Sequence, residues 1–98
     1  MQDYADESDT KIINARKNEL LRVIGSLIRE ERKRINKGIN VFSYEYDIGN
    51  GLLSKLENGQ ADSRISTLWK LSNAFGLKCS EFIKMVEDSL PQDFNFYE

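Results

Sequence analysis

The chain has 98 residues, enough for one domain with a modest core. Its apolar content of 40% is ordinary for a soluble chain. No apolar run approaches the ~18 residues of a membrane span, and the acidic opening MQDYADESDT lacks the basic-then-apolar order of a secretory signal. With no histidine and one cysteine, Cys79, the chain holds no His-based general base, no His-containing zinc site and no intrachain disulfide. A lone cysteine also suits a reducing cytoplasm, the expected location.

The formal net charge of −2 conceals segregation. Residues 1–10 carry four acids (Asp3, Asp6, Glu7, Asp9) and no base. Residues 87–98 carry another four (Glu87, Asp88, Asp93, Glu98). The intervening 11–86 holds 14 basic and 8 acidic residues, a net of +6. A basic centre between acidic ends fits a phosphate-binding surface as well as plain solubility.

In chain order, residues 1–10 read as an acidic, disordered N-terminus. Helical pattern begins near Asp9-Thr10, either of which can cap, and runs to about Ile35. Leu20, Leu21, Ile24, Leu27 and Ile28 recur at helical spacing and form its buried stripe. Gly25 inside it costs roughly 1 kcal/mol relative to Ala, which close packing against a neighbour would justify. Arg29, Arg32, Lys33 and Arg34 make a basic end, followed by Lys37; Lys33, Arg34 and Lys37 are expected to be free for phosphate or solvent.

Phe42 to Gly59 has the layout of a helix-turn-helix. Ser43 is small where a crossing helix must come close. Asp47 marks the turn, where positive φ is expected and Asp tolerates it. In the second helix Ile48, Leu52, Leu53 and Leu56 fall on one face. Asn50, Gly51, Ser54 and Lys55 fall on the other, free of carboxylates until Glu57. Gly59 ends the segment as a C′ glycine. In the following helix Ser63 is the expected N-cap, and Ile65, Leu68, Leu71 and Phe75 the core face, with Trp69 alongside as a structural residue. Gly76 closes it. A last helix buries Cys79, Phe82, Ile83 and Val86. The tail, residues 88–98, has three aromatics in four residues (Phe94, Phe96, Tyr97); it either folds back over the domain or packs across a dimer interface.

Residues 24–82 resemble the XRE family of phage-repressor and Cro-like regulators. The resemblance rests on IGSLIREERK at 24–33, SYEYDIGNGLLSKLENG at 43–59 and STLWKLSNAFGLKCSEF at 66–82. It implies an all-α, compact five-helix, lambda-repressor-like domain over residues 11–87, with Lys11–Glu19 as an N-terminal extension. It also implies an ion pair between Arg32 and Glu57, tying the first helix to the end of the reading helix. Asn58, Arg64 and the first turn of the second helix become phosphate candidates by their match to the family. One departure concerns the opening of that helix. Members commonly place Ser-Gln or Thr-Gln there, the Gln contacting DNA and buttressing the reading helix, where this chain has Gly38-Ile39. Tyr46 replaces a usual small residue, and Gly51 stands where many members present a reading side chain.

No catalytic constellation is present. Glu30 and Glu31 diverge on a helix, and Gly49-Asn50-Gly51 lacks the lysine and spacing of a phosphate loop. The expected function is therefore non-enzymatic: a repressor-like, sequence-specific regulator that reads the major groove of double-stranded DNA as a homodimer, without cofactor, metal, membrane or evident small-molecule ligand. Asn50 suits an adenine edge, and Lys55 a guanine O6 or N7 or a phosphate. Gly51, Ser54, Asn58, Arg64, Gly38, Ile39 and Lys37 complete the expected surface. An antitoxin or a restriction-modification controller would share this fold, as would a protein-interaction module that no longer reads DNA.

Overall fold

The computed structural model describes residues 7–98, with side chains from Asp9 onward; residues 1–6 of the expected disordered terminus lie outside the described residues. The longest element is α1 (Glu7–Arg34), about 42 Å at 1.5 Å per residue. It is followed by α2 (Ile39–Tyr46), α3 (Asn50–Glu57), α4 (Ile65–Ala74) and α5 (Cys79–Ser89). No strand occurs among the described residues. Asp9 and Thr10 thus lie inside α1 rather than capping it, and Lys11–Glu19 lengthens this helix. The first half of α1 runs beyond the other helices, giving a molecule of 50 × 26 × 20 Å.

The core forms where α1, α2, α3, α4 and α5 present one apolar stripe each. Ile28, Phe42, Leu53, Leu56, Leu71 and Phe82 are essentially sealed from water, with Ile48, Leu68, Phe75 and Val86 around them. Burying each such side chain is worth about 1.5–3 kcal/mol. Three phenylalanines thread the layers together. Phe42 of α2 lies 5.5 Å, centroid to centroid, from Phe75 at the end of α4, and Phe75 lies 6.2 Å from Phe82 of α5.

Gly25 has the packing reason expected of it. A Cβ there would lie 2.7 Å from the Glu57 carbonyl oxygen and closer still to that of Leu56. Only a glycine lets the α1 backbone abut the C-terminal carbonyls of α3. At Gly59 the chain takes φ +70°, and a side chain would press on the Arg22 backbone at about 3.2–3.3 Å. The two glycines together fix how α3 lies across α1.

Several expectations about α4 need correction. Its buried stripe is Leu68, Leu71, Ser72 and Phe75, a spacing of i, i+3, i+4 and i+7 that faces Phe42 and Phe82. Ile65 is 65% exposed and Trp69 56% exposed, so neither belongs to the core. Trp69 follows Leu68 and is rotated about 100° around the helix from it. Ser72, overlooked in the sequence, is fully buried because its hydroxyl donates to the Leu68 carbonyl at 2.8 Å. Ser63 does not cap: α4 follows the extended Arg64, and the Ser63 hydroxyl donates to the Arg64 carbonyl at 3.0 Å. In α5, Cys79, Phe82 and Val86 are buried as expected, with Ile83 half-buried. The Glu81 carboxylate accepts the Lys78 amide at 2.8 Å and so holds the start of this helix.

The tail folds back. Arg16 of α1 donates from Nε to the Asn95 carbonyl at 3.0 Å and from Nη2 to the Glu98 main-chain oxygen at 2.8 Å. Phe94 and Phe96 meet edge to face at 5.8 Å, while Leu90 packs on the edge of the core. The tail backbone is therefore fastened to α1 at Arg16, with Phe94 and Phe96 half-buried and Tyr97 exposed.

Candidate nucleic-acid interface

The turn between α2 and α3 is made by Asp47, which adopts φ 54°, ψ 51°. In this left-handed conformation the Asp47 and Ile48 amides both donate to the Ser43 carbonyl, the latter at 3.1 Å. Ser43 is buried at the helix crossing. Lys70 of α4 donates to the Asp47 carbonyl at 2.6 Å, bracing the turn from outside. Asn36 closes α1 in the same way, at φ 59°; an Asn just past a helix is the usual non-glycine choice there.

α3 buries Leu53, Leu56 and Glu57. Leu52, expected on that face, is 40% exposed because the buried stripe begins one residue later. Asn50, Gly51, Lys55 and Asn58 are exposed on the opposite side, with Ser54 half-buried between them. A Cβ at Gly51 would meet nothing within 4 Å, so no neighbour demands glycine there. Gly38 and Gly49 precede α2 and α3 as N-caps without a side-chain bond. Ile39 is half-buried against the core, and Arg64 is exposed ahead of α4.

The expected Arg32–Glu57 pair is present and fork-shaped. Arg32 donates from Nε to Glu57 Oε2 at 2.6 Å and from Nη2 to Oε1 at 2.8 Å, and its Nη1 reaches the Lys37 carbonyl at 2.9 Å. The two side chains are 11% and 2% exposed. Burial alone would push the Glu57 carboxyl up, but the bonds and charge of Arg32, with Arg29 added, outweigh it and hold the group below its ordinary value. The Glu57 hydrogen bond raises Arg32 in turn, against the opposing effect of burial. Arg29 is a third member that the sequence did not reveal. Its Nε lies 3.3 Å from Glu57 Oε1, and its Nη2 donates to Asn58 Oδ1 at 3.0 Å. Asn58 Nδ2 in turn donates to the Ser54 carbonyl at 3.0 Å, so one expected phosphate contact is pre-oriented by the fork.

Of the three cations expected to be free, two are engaged. Lys37 is half-buried and pairs with Glu45 beside the Tyr46 ring; the Glu45 hydrogen bond raises its ammonium above the ordinary value. Arg34 donates to the Phe75 carbonyl at 2.9 Å and to Glu31 at 2.8 Å, closing the end of α4. Lys33 is exposed. A residue outside the expected surface joins it: Asn40 of α2 accepts a hydrogen bond from Asn50 Nδ2 at the start of α3. Among the described residues no cluster of His, Cys, Asp or Glu is placed to hold a metal ion, and no helix is long and apolar enough to cross a membrane.

The sequence and this geometry converge on one family. The family model described as Helix-turn-helix matches residues 28–82, more than half of the chain. The chain belongs to the XRE-type helix-turn-helix family. No curated protein and no solved structure matches it. The XRE-type frame begins at Ile28 and ends at Phe82. Residues 7–27 of α1, Gly25 among them, and the aromatic tail therefore lie outside the matched frame, while the whole of α2, α3 and α4 lies within it.

Proposed function

We propose that this protein is a repressor-like transcriptional regulator that binds double-stranded DNA sequence-specifically, reading the major groove with α3 as a homodimer. The observation that carries the reading is the division of α3 into two sides. Leu53, Leu56 and Glu57 anchor it to α1, while Asn50, Gly51, Lys55 and Asn58 remain uncovered. The tail leaves this side open, being fastened to Arg16 on α1. Lys33, Arg64 and Lys55 are exposed cations for phosphate or base edges. Membership of a DNA-binding family supports the same reading.

The homodimer is supported by an exposed apolar surface on α4 and α5. Ile65, Trp69 and Ile83 line it, flanked by Lys78 and Glu87 at opposite ends of α5. A two-fold axis across α5 would bring Lys78 of one copy to Glu87 of the other, as a self-complementary interface requires. Two reading helices about 34 Å apart would then address successive turns of one groove.

Titration of a random duplex library at two salt concentrations tests the proposal. Enrichment of a two-fold symmetric site, with affinity falling steeply as salt rises, is the expected result. A protein that retards no duplex at 50 mM salt would instead be an interaction module of the same fold.

A further inference from the structure

One line of side chains along α1 is basic and uninterrupted by acid. At 100° per residue, Lys11, Asn18, Arg22, Arg29 and Lys33 fall within an arc of about 60°, and all are exposed. The small residues Ala15 and Ser26 lie at its edge. From Asp9 onward, the carboxylates of α1 (Asp9, Glu19, Glu30 and Glu31) stand about 80–200° round the helix from Lys11. Arg16, which holds the tail, is on their side, so the tail leaves the basic line uncovered. One end of the line meets the end of α3. Arg29 Nη2 donates to Asn58 Oδ1 at 3.0 Å, and Gly59 abuts the Arg22 backbone. From Arg29 back to Lys11 the line runs about 27 Å at 1.5 Å per residue, and everything before Ile28 is outside the matched frame. Packing does not call for this alignment. Arg29 and Lys33 are one turn apart, and like charges at that spacing weaken a helix.

We propose that this line is a second DNA contact, which lays the projecting half of α1 along the phosphate backbone beside the groove taken by α3, with Lys11 and Arg22 as its phosphate-binding residues; this rests on the DNA-reading function proposed above. The partner follows from continuity and spacing. A duplex engaged by α3 and Asn58 already lies at one end of the line. Each strand carries a phosphate per about 3.4 Å of axis, so a helix face about 27 Å long spans about eight phosphates. The amide of Asn18 can donate to a phosphate as well. Because the cations stand on a preformed helix, no segment has to be ordered when they bind.

Two variants shed charge and keep the side-chain stems. One carries Lys11→Gln and Arg22→Gln together. The other carries Lys17→Gln, an exposed cation of the same helix about 120° round from Lys11. Affinity for a selected site and for random duplex is titrated over a fourfold range of salt. Each phosphate contact contributes about 0.9 to the slope of log affinity against log salt, so each one lost makes affinity about 3.5-fold less sensitive over that range. The double variant should lose about 1.8 from the slope per copy bound, equally on both duplexes and with an unchanged melting temperature. Lys17→Gln should stay within about 0.5 of the unaltered slope. An unchanged slope in the double variant overturns the proposal. So does an equal loss in Lys17→Gln, which would reduce the effect to net charge. A loss confined to the selected site also overturns it, since backbone contacts act on every sequence. Failure of the unaltered protein to retard any duplex would defeat the DNA-reading function itself, and this contact with it, before either variant is made.

Discussion

Replacing Arg32 with alanine should destabilise the domain more than any other charge deletion. The substitution removes three hydrogen bonds, two to Glu57 and one to the Lys37 carbonyl. It leaves the Glu57 carboxylate, 2% exposed, inside the protein without its main partner. Breaking a buried pair from one side costs about 3–5 kcal/mol. Arg29 stays within 3.3 Å of Oε1 and keeps part of the compensation, which places the loss near the lower end. At about 4–8 °C per kcal/mol for a domain of this size, ~3 kcal/mol corresponds to roughly 12–24 °C in Tm. Glu57→Gln should cost less, about 1–2 kcal/mol, because a carbonyl oxygen remains for Arg32 and the unpaired guanidinium sits nearer to water. The pair also makes stability pH-dependent. Glu57 titrates lower in the folded protein than its ordinary 4.5. Its contribution is therefore complete above about pH 4.5 and is lost as pH falls through the folded value. Melting followed by circular dichroism from pH 7 to pH 3 should show a shallower decline for Glu57→Gln than for the unaltered protein. A fall of less than about 4 °C for Arg32→Ala at pH 7 would show that the fork contributes no more than a surface ion pair, and would refute this reasoning.

Gly25→Ala sets a gain of about 1 kcal/mol in helix propensity against a methyl placed 2.7 Å from a backbone oxygen. Backbone cannot step aside as a side chain can, so the net effect should be destabilising by about 1–3 kcal/mol; a higher urea midpoint would contradict it. Trp69→Ser should shift the sedimentation of the protein from dimer to monomer with little change in the helical spectrum, and an unaltered dimer would place the interface elsewhere. Lys55→Ala should weaken binding to a selected site more than to random duplex. Equal loss on both would make Lys55 a phosphate contact.

Much of this structure is legible in residues whose backbone or charge leaves few options. Asp47 needed a left-handed turn, Gly25 a close neighbour and Gly59 a helix end, and each has it. The Arg32–Glu57 pair was implied by resemblance and stands where expected. The errors share a different physics. Helical spacing gives the angle of each residue around its own axis but not which neighbours cover that angle, so water reaches Leu52, Ile65 and Trp69 although their spacing suits a core face. Side chains that reach across elements were equally invisible: Arg29 to Asn58, Arg34 to the end of α4, Lys37 to Glu45. The Asn40–Asn50 pair belongs with these, since ten residues and a turn separate its members in the chain and no motif spacing records it. For the tail, composition showed that it would pack, and only the position of Arg16 decided where.

Neither α2 nor α3 brings its own support. Each has eight residues, and each starts from a glycine that offers no side chain to the free amides of the first turn. Helices below ~12–15 residues are marginal in water even with favourable sequences. A peptide spanning residues 37–60 would thus be coil, and the surface proposed to face the groove exists only as a property of the assembled bundle. Its order is on loan from the long helix behind it. Melting of the motif and melting of the molecule are then a single, all-or-none event, with no stage at which the anchor has let go and the reader persists.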